Sequence, residues 1–399
     1  MQDVEFVVVG CGPAGGTAAR EAARAGVETL VLERDSVVGV KRVCAAGLRP
    51  GFCDEFDLPR SIVHCDPPTI SLHGVTGRRF DFPTVGDAHT TTREELDGTI
   101  AAFARDEGAQ ILTSSLFRGY TADGERTIVE YADLGSGERK RVRARSVLLA
   151  QGSSARVDDA SPLAYEAWTA GLITCYQYRV YLERQAIESA YRTLEMHYYL
   201  TKSGRNVIAW MFPKRDHLSI GLGVAGKCSG KELRGELDAF VPTVQARLFP
   251  GVGYTIREEG NLLYGGAPRP TISDGNVMVA GTAAGLVDAT TGEGIYEAAS
   301  SGRIAAAAVA DAKGGRTSAP GRLYEKHLKN AFYGRLRHRH KLMTFLERRP
   351  MRFDVLFEQL ARSPRFANML QRDRNDFSLG EWAFLYAQAA LFSVRALRA

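Results

Sequence analysis

The residues with the clearest capacity for chemistry are Gly10-Cys11-Gly12-Pro13-Ala14-Gly15-Gly16, followed by Glu33. This pattern binds a dinucleotide. Gly10 permits a tight turn, Gly12 lets a pyrophosphate approach the backbone, and Gly15 lets a helix pack on a sheet. Pro13 and Ala14 complete the GxGPAG fingerprint, and the N-terminus of the helix after it presents free N–H groups and a positive dipole end to the phosphates. Glu33 is placed to accept hydrogen bonds from ribose hydroxyls, with Arg34 beside it. The bland reading is a glycine turn without a ligand, but the surrounding elements complete the fingerprint. Val4–Val9 reads as a strand, Thr17 to Ala25 as a helix ended by Gly26, and Glu28–Leu32 as a second strand.

Two later segments favour FAD over NAD. Arg93-x-x-Leu96-Asp97 opens a helix after Thr90–Thr92. Farther on, Val277–Ala280 runs as a strand into Gly281-Thr282-Ala283-Ala284-Gly285, and a helix begins near Gly292-Glu293-Gly294-Ile295. A second helix N-terminus can face a flavin ring or the pyrophosphate, and small residues there let a flat ring lie against the backbone.

Four motifs spread over most of the chain resemble the geranylgeranyl reductase family of flavoproteins, in particular its chlorophyll and bacteriochlorophyll branch. The glycine fingerprint with Glu33 is the generic part. Cys44-Ala45-Ala46-Gly47-Leu48-Arg49-Pro50 is similar to the family's cysteine–glycine segment. Trp210-Met211-Phe212-Pro213-Lys214-Arg215-Asp216-His217 resembles its substrate-sheet motif, and Thr291-Gly292-Glu293-Gly294-Ile295-Tyr296 its flavin-proximal segment. The resemblance implies an α/β fold of the p-hydroxybenzoate hydroxylase type. An FAD-binding Rossmann-like part is joined there to an antiparallel substrate sheet and a helical C-terminal region. Departures stand at Thr282 and Gln151, where the family carries aspartates, and at Ile208, where it carries an aromatic residue. Losing a charge-assisted hydrogen bond costs on the order of 1–3 kcal/mol, so flavin binding is expected to be weaker than in the family.

The resemblance assigns roles that compete with plainer ones. Cys44 is either a small buried hydrophobe or the group beside the flavin that positions or protonates substrate. Arg93 is either a surface charge or a flavin contact near the pyrophosphate. Trp210 and Phe212, alternating with Ala209 and Met211, fit a core strand; the resemblance makes them, with Pro213, the wall of the prenyl site. Ala45, Gly281, Thr282, Gly285, Gly292, Glu293, Gly294 and Ile295 complete the implied flavin contacts. Glu293 acts there through its main chain, while its charge also suits a helix start. His217 reads as a strand residue.

Residues 1–60, 85–155 and 270–320 are expected to build the FAD part, and 61–84 with 156–269 the substrate sheet. Leu194–Leu200, Val207–Phe212 and Leu218–Val224 are the expected antiparallel strands. Residues 321–399 form a basic helical region with 16 Lys/Arg against 7 Asp/Glu, while the preceding 320 residues carry 35 against 39. Nucleic acid is set aside, since no recognition motif accompanies that charge. A solvated helical face and contact with an anionic membrane remain. The six cysteines lack CxxC spacing, so neither structural zinc nor a disulfide framework is read. No apolar run spans a bilayer, and Asp3 and Glu5 do not suit a signal peptide. The expected location is therefore cytoplasmic, with peripheral membrane contact through 321–399.

The function implied is reduction of isolated C=C bonds in a geranylgeranyl group by reduced FAD, with NADPH or reduced ferredoxin as the transient donor. The substrate class covers a chlorophyll-type ester, geranylgeranyl diphosphate or a related prenyl lipid. A flavin monooxygenase on the same fold and a non-enzymatic prenyl-binding escort protein are the alternatives.

Overall fold

The computed structural model describes all residues except 41–42, 85–88, 155–162, 191, 202, 227, 372–377 and 399. The expected boundaries at 84/85 and 155/156 therefore fall at residues outside the described set. Two large sheets organise the chain.

The first sheet is built around Gln2–Val9, whose last four residues are buried on both faces. Val-rich strands of this kind suit the centre of a parallel sheet covered by helices. Gln2–Val9 pairs in parallel with Thr29–Leu32 on one side and Arg139–Leu149 on the other. Gln110–Leu112 and Val277–Val279 extend the parallel set. Ser115–Asp123 and Arg126–Asp133 form an antiparallel extension on Arg139–Leu149. Helices Pro13–Arg24 and Ile295–Lys313 pack closely through small residues. A Cβ on Gly302 would stand 2.1 Å from the Ala14 carbonyl oxygen.

Among the described residues the second sheet has seven strands, in the order Thr255–Tyr264, Leu172–Tyr181, His217–Ala225, Asn206–Pro213, Thr193–Leu200, Thr69–His73 and Arg79–Pro83. All neighbours are antiparallel except Thr69–His73 against Thr193–Leu200. Asn206–Pro213 alternates strictly between half-buried and buried residues. Val207, Ala209 and Met211 join the core beneath helix Gly230–Leu248, so Ile208, Trp210 and Phe212 point to the opposite face.

Among the described residues from 320 onward there are six helical segments, from Pro320–Leu328 to Leu379–Arg398. Met351–Arg362 is tied to the second sheet by Asp354, whose carboxylate accepts from Val75 N at 2.8 Å and from Thr76 Oγ1. Among the described residues no helix is long and apolar enough to cross a membrane.

Candidate active site

A cavity of about 610 Å³ lies where the strands of the first sheet end and the second sheet begins. The turn after Gln2–Val9 forms its floor. Gly10 has φ +94°, and a Cβ there would meet the Ala150 carbonyl oxygen at 2.6 Å. Gly15 lies below the cavity, where a Cβ would stand 1.9 Å from the Gly10 carbonyl oxygen. Only glycine fits either place. Gly12 caps helix Pro13–Arg24, and the helix N-terminus opens on the cavity together with Pro13 and Ala14. Glu33 reaches back across the turn, accepting from Cys11 N at 2.7 Å and Asp35 N at 2.9 Å. Arg34 lines the cavity beside it.

Helix Arg93–Asp106 is capped by Thr92, whose side chain accepts from Glu95 N. Its first turn carries a buried ion pair, with Arg93 Nη2 donating to Asp97 Oδ2 at 2.6 Å. Burial opposes the Arg93 cation, yet Asp97 and Cys44 hold its pKa above the ordinary guanidinium value. The guanidinium stands 3.3 Å from where a Gly12 Cβ would be, which places a cation against the phosphate cradle.

The opposite wall is the second glycine turn. Gly281 N donates to Ser301 Oγ at 3.0 Å, and Gly281 and Thr282 line the cavity. Gly285 does not; it turns away with φ +75° against Pro268 and the Tyr264 ring. Gly292, Glu293, Gly294 and Ile295 close that side. Enclosure by protein, then Glu297 and Asp288, push the Glu293 carboxyl up to about 7. Its surface stays open to water in the cavity, which tempers that rise.

A second cavity of about 280 Å³ shares Cys44, Ala45, Phe212, Leu262 and Gly292 with the first. Trp210, Ile208 and Met196 make its apolar wall. His340 and Glu347 also line it; burial lowers the imidazole pKa and raises the carboxyl, so both are driven toward their neutral forms. Pro213 lines neither cavity: its carbonyl accepts from Thr90 Oγ1 at 2.7 Å, tying the strand end to the loop below.

Sequence reasoning passed over Lys214. This lysine is 1% exposed, and its Nζ donates to the Ala45 carbonyl at 2.5 Å and the Ala46 carbonyl at 3.4 Å. It thus holds the strand of chain that separates the two cavities, where Ala46 takes φ +47°. Burial pulls its pKa down to about 7, with Cys44 and Cys65 opposing that fall. Its position after the Trp-Met-Phe-Pro run was the available signal. His217 lies outside both cavities. It is buried and bonded to Asp216 at 2.7 Å, and burial lowers its pKa to about 4.

The larger cavity fits FAD. Its floor is a helix N-terminus approached by two glycines, Arg93 supplies a nearby cation, and Gln151 Oε1 is buried in the wall without a hydrogen-bond partner. An acceptor left unsatisfied there suits the hydroxyl or N–H groups of a dinucleotide. Gln151 is one of the positions where the sequence departs from the family.

No protein-family model matches the chain. A geranylgeranyl diphosphate reductase of Rhodobacter capsulatus is 30% identical over 320 residues, covering 77% of this chain and 76% of that protein. Digeranylgeranylglycerophospholipid reductase 1 of Methanopyrus kandleri is 29% identical over 310 residues, covering 76% and 79%. A geranylgeranyl bacteriochlorophyll reductase-like protein of Thermoplasma acidophilum superposes over 100% of this chain and 98% of its own, with TM-score 0.74 and 22% identity. A flavin-dependent brominase shares the fold at TM-score 0.70 and 16% identity, covering 99% of this chain and all of its own. With a polar nucleotide cradle joined to an apolar cavity, and with these relatives, the chain belongs to the geranylgeranyl reductase family of FAD-dependent oxidoreductases.

Proposed function

We propose that the protein saturates isolated C=C bonds of a geranylgeranyl chain carried by a chlorophyll-type ester, a diphosphate or a prenyl lipid. The observation that carries this reading is the shared wall of the two cavities. The apolar cavity lined by Ile208, Trp210 and Phe212 adjoins, through Cys44, Ala45 and Gly292, the cavity that would hold FAD. FAD, when bound and reduced, supplies hydride to one alkene carbon.

An unpolarised alkene offers little for an acid to activate, so the protein's contribution is orientation and exclusion of water. Trp210 and Phe212 hold the chain, and the neutral lining around His340 and Glu347 costs it little desolvation. The second carbon needs a proton, which we assign to Cys44, the thiol at the junction of both cavities. Arg93 and Lys214 both stand close enough to interact with its charge. They stabilise the thiolate left after the transfer. With FAD bound, Glu33 would orient the ribose, Arg93 and the Gly10–Gly15 turn would hold the pyrophosphate, and Thr282 and Gln151 would hydrogen bond to its hydroxyl or N–H groups. Reloading of the flavin is assigned to NADPH or a reduced ferredoxin-type donor.

The protein is proposed to work from the cytoplasm at a membrane surface. All six cysteines are free, as a reducing compartment favours. Helix Leu379–Arg398 exposes Tyr386, Leu391, Val394 and Leu397 at 49–67% of their surface. An apolar stripe of this kind lies in the interface of a bilayer.

The test is anaerobic. Purified protein is loaded with FAD, reduced, and offered geranylgeranyl diphosphate and geranylgeranylated chlorophyllide in turn. Mass gain of two hydrogens per double bond supports the reading. Absence of flavin absorbance together with tight prenyl binding would make the chain an escort protein. Oxygen-dependent substrate hydroxylation would make it a monooxygenase.

A further inference from the structure

We propose that the face of the second sheet turned away from the cavities carries a site for a zinc-type divalent ion, with His73, Glu195 and His197 as ligands. Met196 lines the apolar cavity, so its neighbours Glu195 and His197 project from the opposite face. Thr69–His73 runs parallel to Thr193–Leu200 with His73 directly beside His197. The register therefore stacks the two imidazoles, 3.9 Å apart and 13° from parallel. One ligating atom from each of the three residues lies within 4.8 Å of the other two. Two residues at i and i+2 on one strand, with a third across the ladder, give a compact set of three ligands.

Two observations distinguish this cluster from an ordinary buried salt bridge. His73 Nε2 is buried without a hydrogen-bond partner and faces Glu195 Oε2 at 3.9 Å. A buried imidazole nitrogen left in that way calls for a donor or a metal. Glu195 is fully buried and held by Arg247, which donates to both carboxylate oxygens, Nη2 to Oε2 at 2.6 Å. His197 Nε2 is 3.0 Å from Oε2. A carboxylate offers about four lone-pair positions, so Arg247 occupies two and leaves room for a ligand bond. Arg247 acts as the orienting partner that ligating carboxylates commonly have, while its charge weakens the hold on a cation.

Two histidines and one carboxylate form a three-ligand set typical of zinc with an open fourth position. Both histidines keep 14% of their side-chain surface exposed, which gives the ion and a water a way in. Binding needs side-chain rotations that bring the nitrogens to about 2.0–2.1 Å from the metal and exchange the His197–Glu195 contact for metal bonds. The ion would fasten Thr69–His73 to Thr193–Leu200, behind the wall that Met196 presents to the substrate.

The full chain, stripped with chelator and with its cysteines blocked, is dialysed against micromolar zinc and its metal content measured. Close to one zinc per chain is expected, at least tenfold less in His73→Asn and in His197→Asn, and tighter retention in Arg247→Gln. Cobalt(II) should give a tetrahedral visible spectrum without thiolate charge-transfer bands in wild type and lose it in His73→Asn. Far-UV circular dichroism establishes that each variant is folded, and His73→Gln replaces His73→Asn if the latter is not. Wild type and Arg247→Gln both holding less than a tenth of an equivalent, or unchanged binding in folded His73 and His197 variants, overturns the proposal.

Discussion

Replacing Lys214 by methionine separates the electrostatic cost of this lysine from its hydrogen bonds. The ammonium is buried at the loop that divides the two cavities, and its pKa falls from 10.5 to about 7. Between those values the unfolded chain binds more protons than the folded one, so stability rises with pH through that window. Below pH 7 both states are protonated and the full penalty is present; above pH 10.5 neither is, and it vanishes. At 1.36 kcal/mol for each tenfold change, the penalty is about 4 kcal/mol at pH 7 and about 2 kcal/mol at pH 9. The variant loses the bonds to Ala45 and Ala46 by the same amount at every pH, so only the slope carries the charge. Urea unfolding of wild type and Lys214→Met at both pH values should show wild type gaining about 2 kcal/mol on the variant between pH 7 and pH 9. Groups titrating in this range that do not interact with Lys214 cancel in the comparison, and Cys44→Ser with Cys65→Ser in both backgrounds removes the two thiols that do interact with it. Two pH dependences that run parallel within about 0.5 kcal/mol would falsify the reasoning. The lysine would then reach water or keep an ordinary pKa.

Asp97→Asn leaves the buried Arg93 cation without its ion partner. It should cost about 3–5 kcal/mol of stability, read by urea unfolding, and lower FAD affinity. Gly15→Ala places a methyl group 1.9 Å from the Gly10 carbonyl oxygen. The purified protein should lose most of its flavin absorbance while circular dichroism shows the sheet retained. Gly221→Ala meets the Trp210 ring at 2.3 Å and should drive it toward the apolar cavity, raising KM for the prenyl substrate more than it lowers kcat. Leu391→Ser with Val394→Ser and Leu397→Ser should release the protein from phosphatidylglycerol vesicles in a flotation assay; unchanged flotation would exclude this helix face from the contact.

Legibility followed the distance over which each feature is encoded. The Gly10–Gly15 turn and the alternation of Ile208, Trp210 and Phe212 are local, so residue type and spacing determine them. Arg93 and Asp97 were also readable as an i, i+4 pair, although burial of that pair depends on Cys44 and Gly12 arriving from elsewhere. Only the place of Lys214 after the Trp-Met-Phe-Pro run marked it, because its partners are 168 and 169 residues away and a lysine after a strand usually marks solvent. His73 and His197 meet only through the parallel register of two strands far apart in sequence. Pro213 follows the lining residue Phe212 and Gly285 lies two residues before Val287, yet one carbonyl bond and one turn take them out of the cavities.

The charge asymmetry changes its meaning by the same route. The basic excess of residues 321–399 suggested an external anion, but several of its cations are engaged with the rest of the chain. Arg335 pairs with Glu297 at 2.5 Å, and Arg339 with Asp288 at 3.4 Å. Arg352 donates to the carbonyls of Phe345 and Ala396. Glu297 belongs to the helix that opens on the flavin cavity and Asp288 to the wall of the apolar one. The acidic excess of the first 320 residues and the basic excess of the tail are therefore partly one structural device. It anchors the C-terminal helices against the site by buried and half-buried ion pairs, which salt screens weakly. Attraction to an anionic membrane then cannot be read from the count of arginines. The membrane contact proposed above rests instead on the uncharged face of Leu379–Arg398; contact with lipid there would be apolar and would persist at ionic strengths that dissociate a purely basic patch.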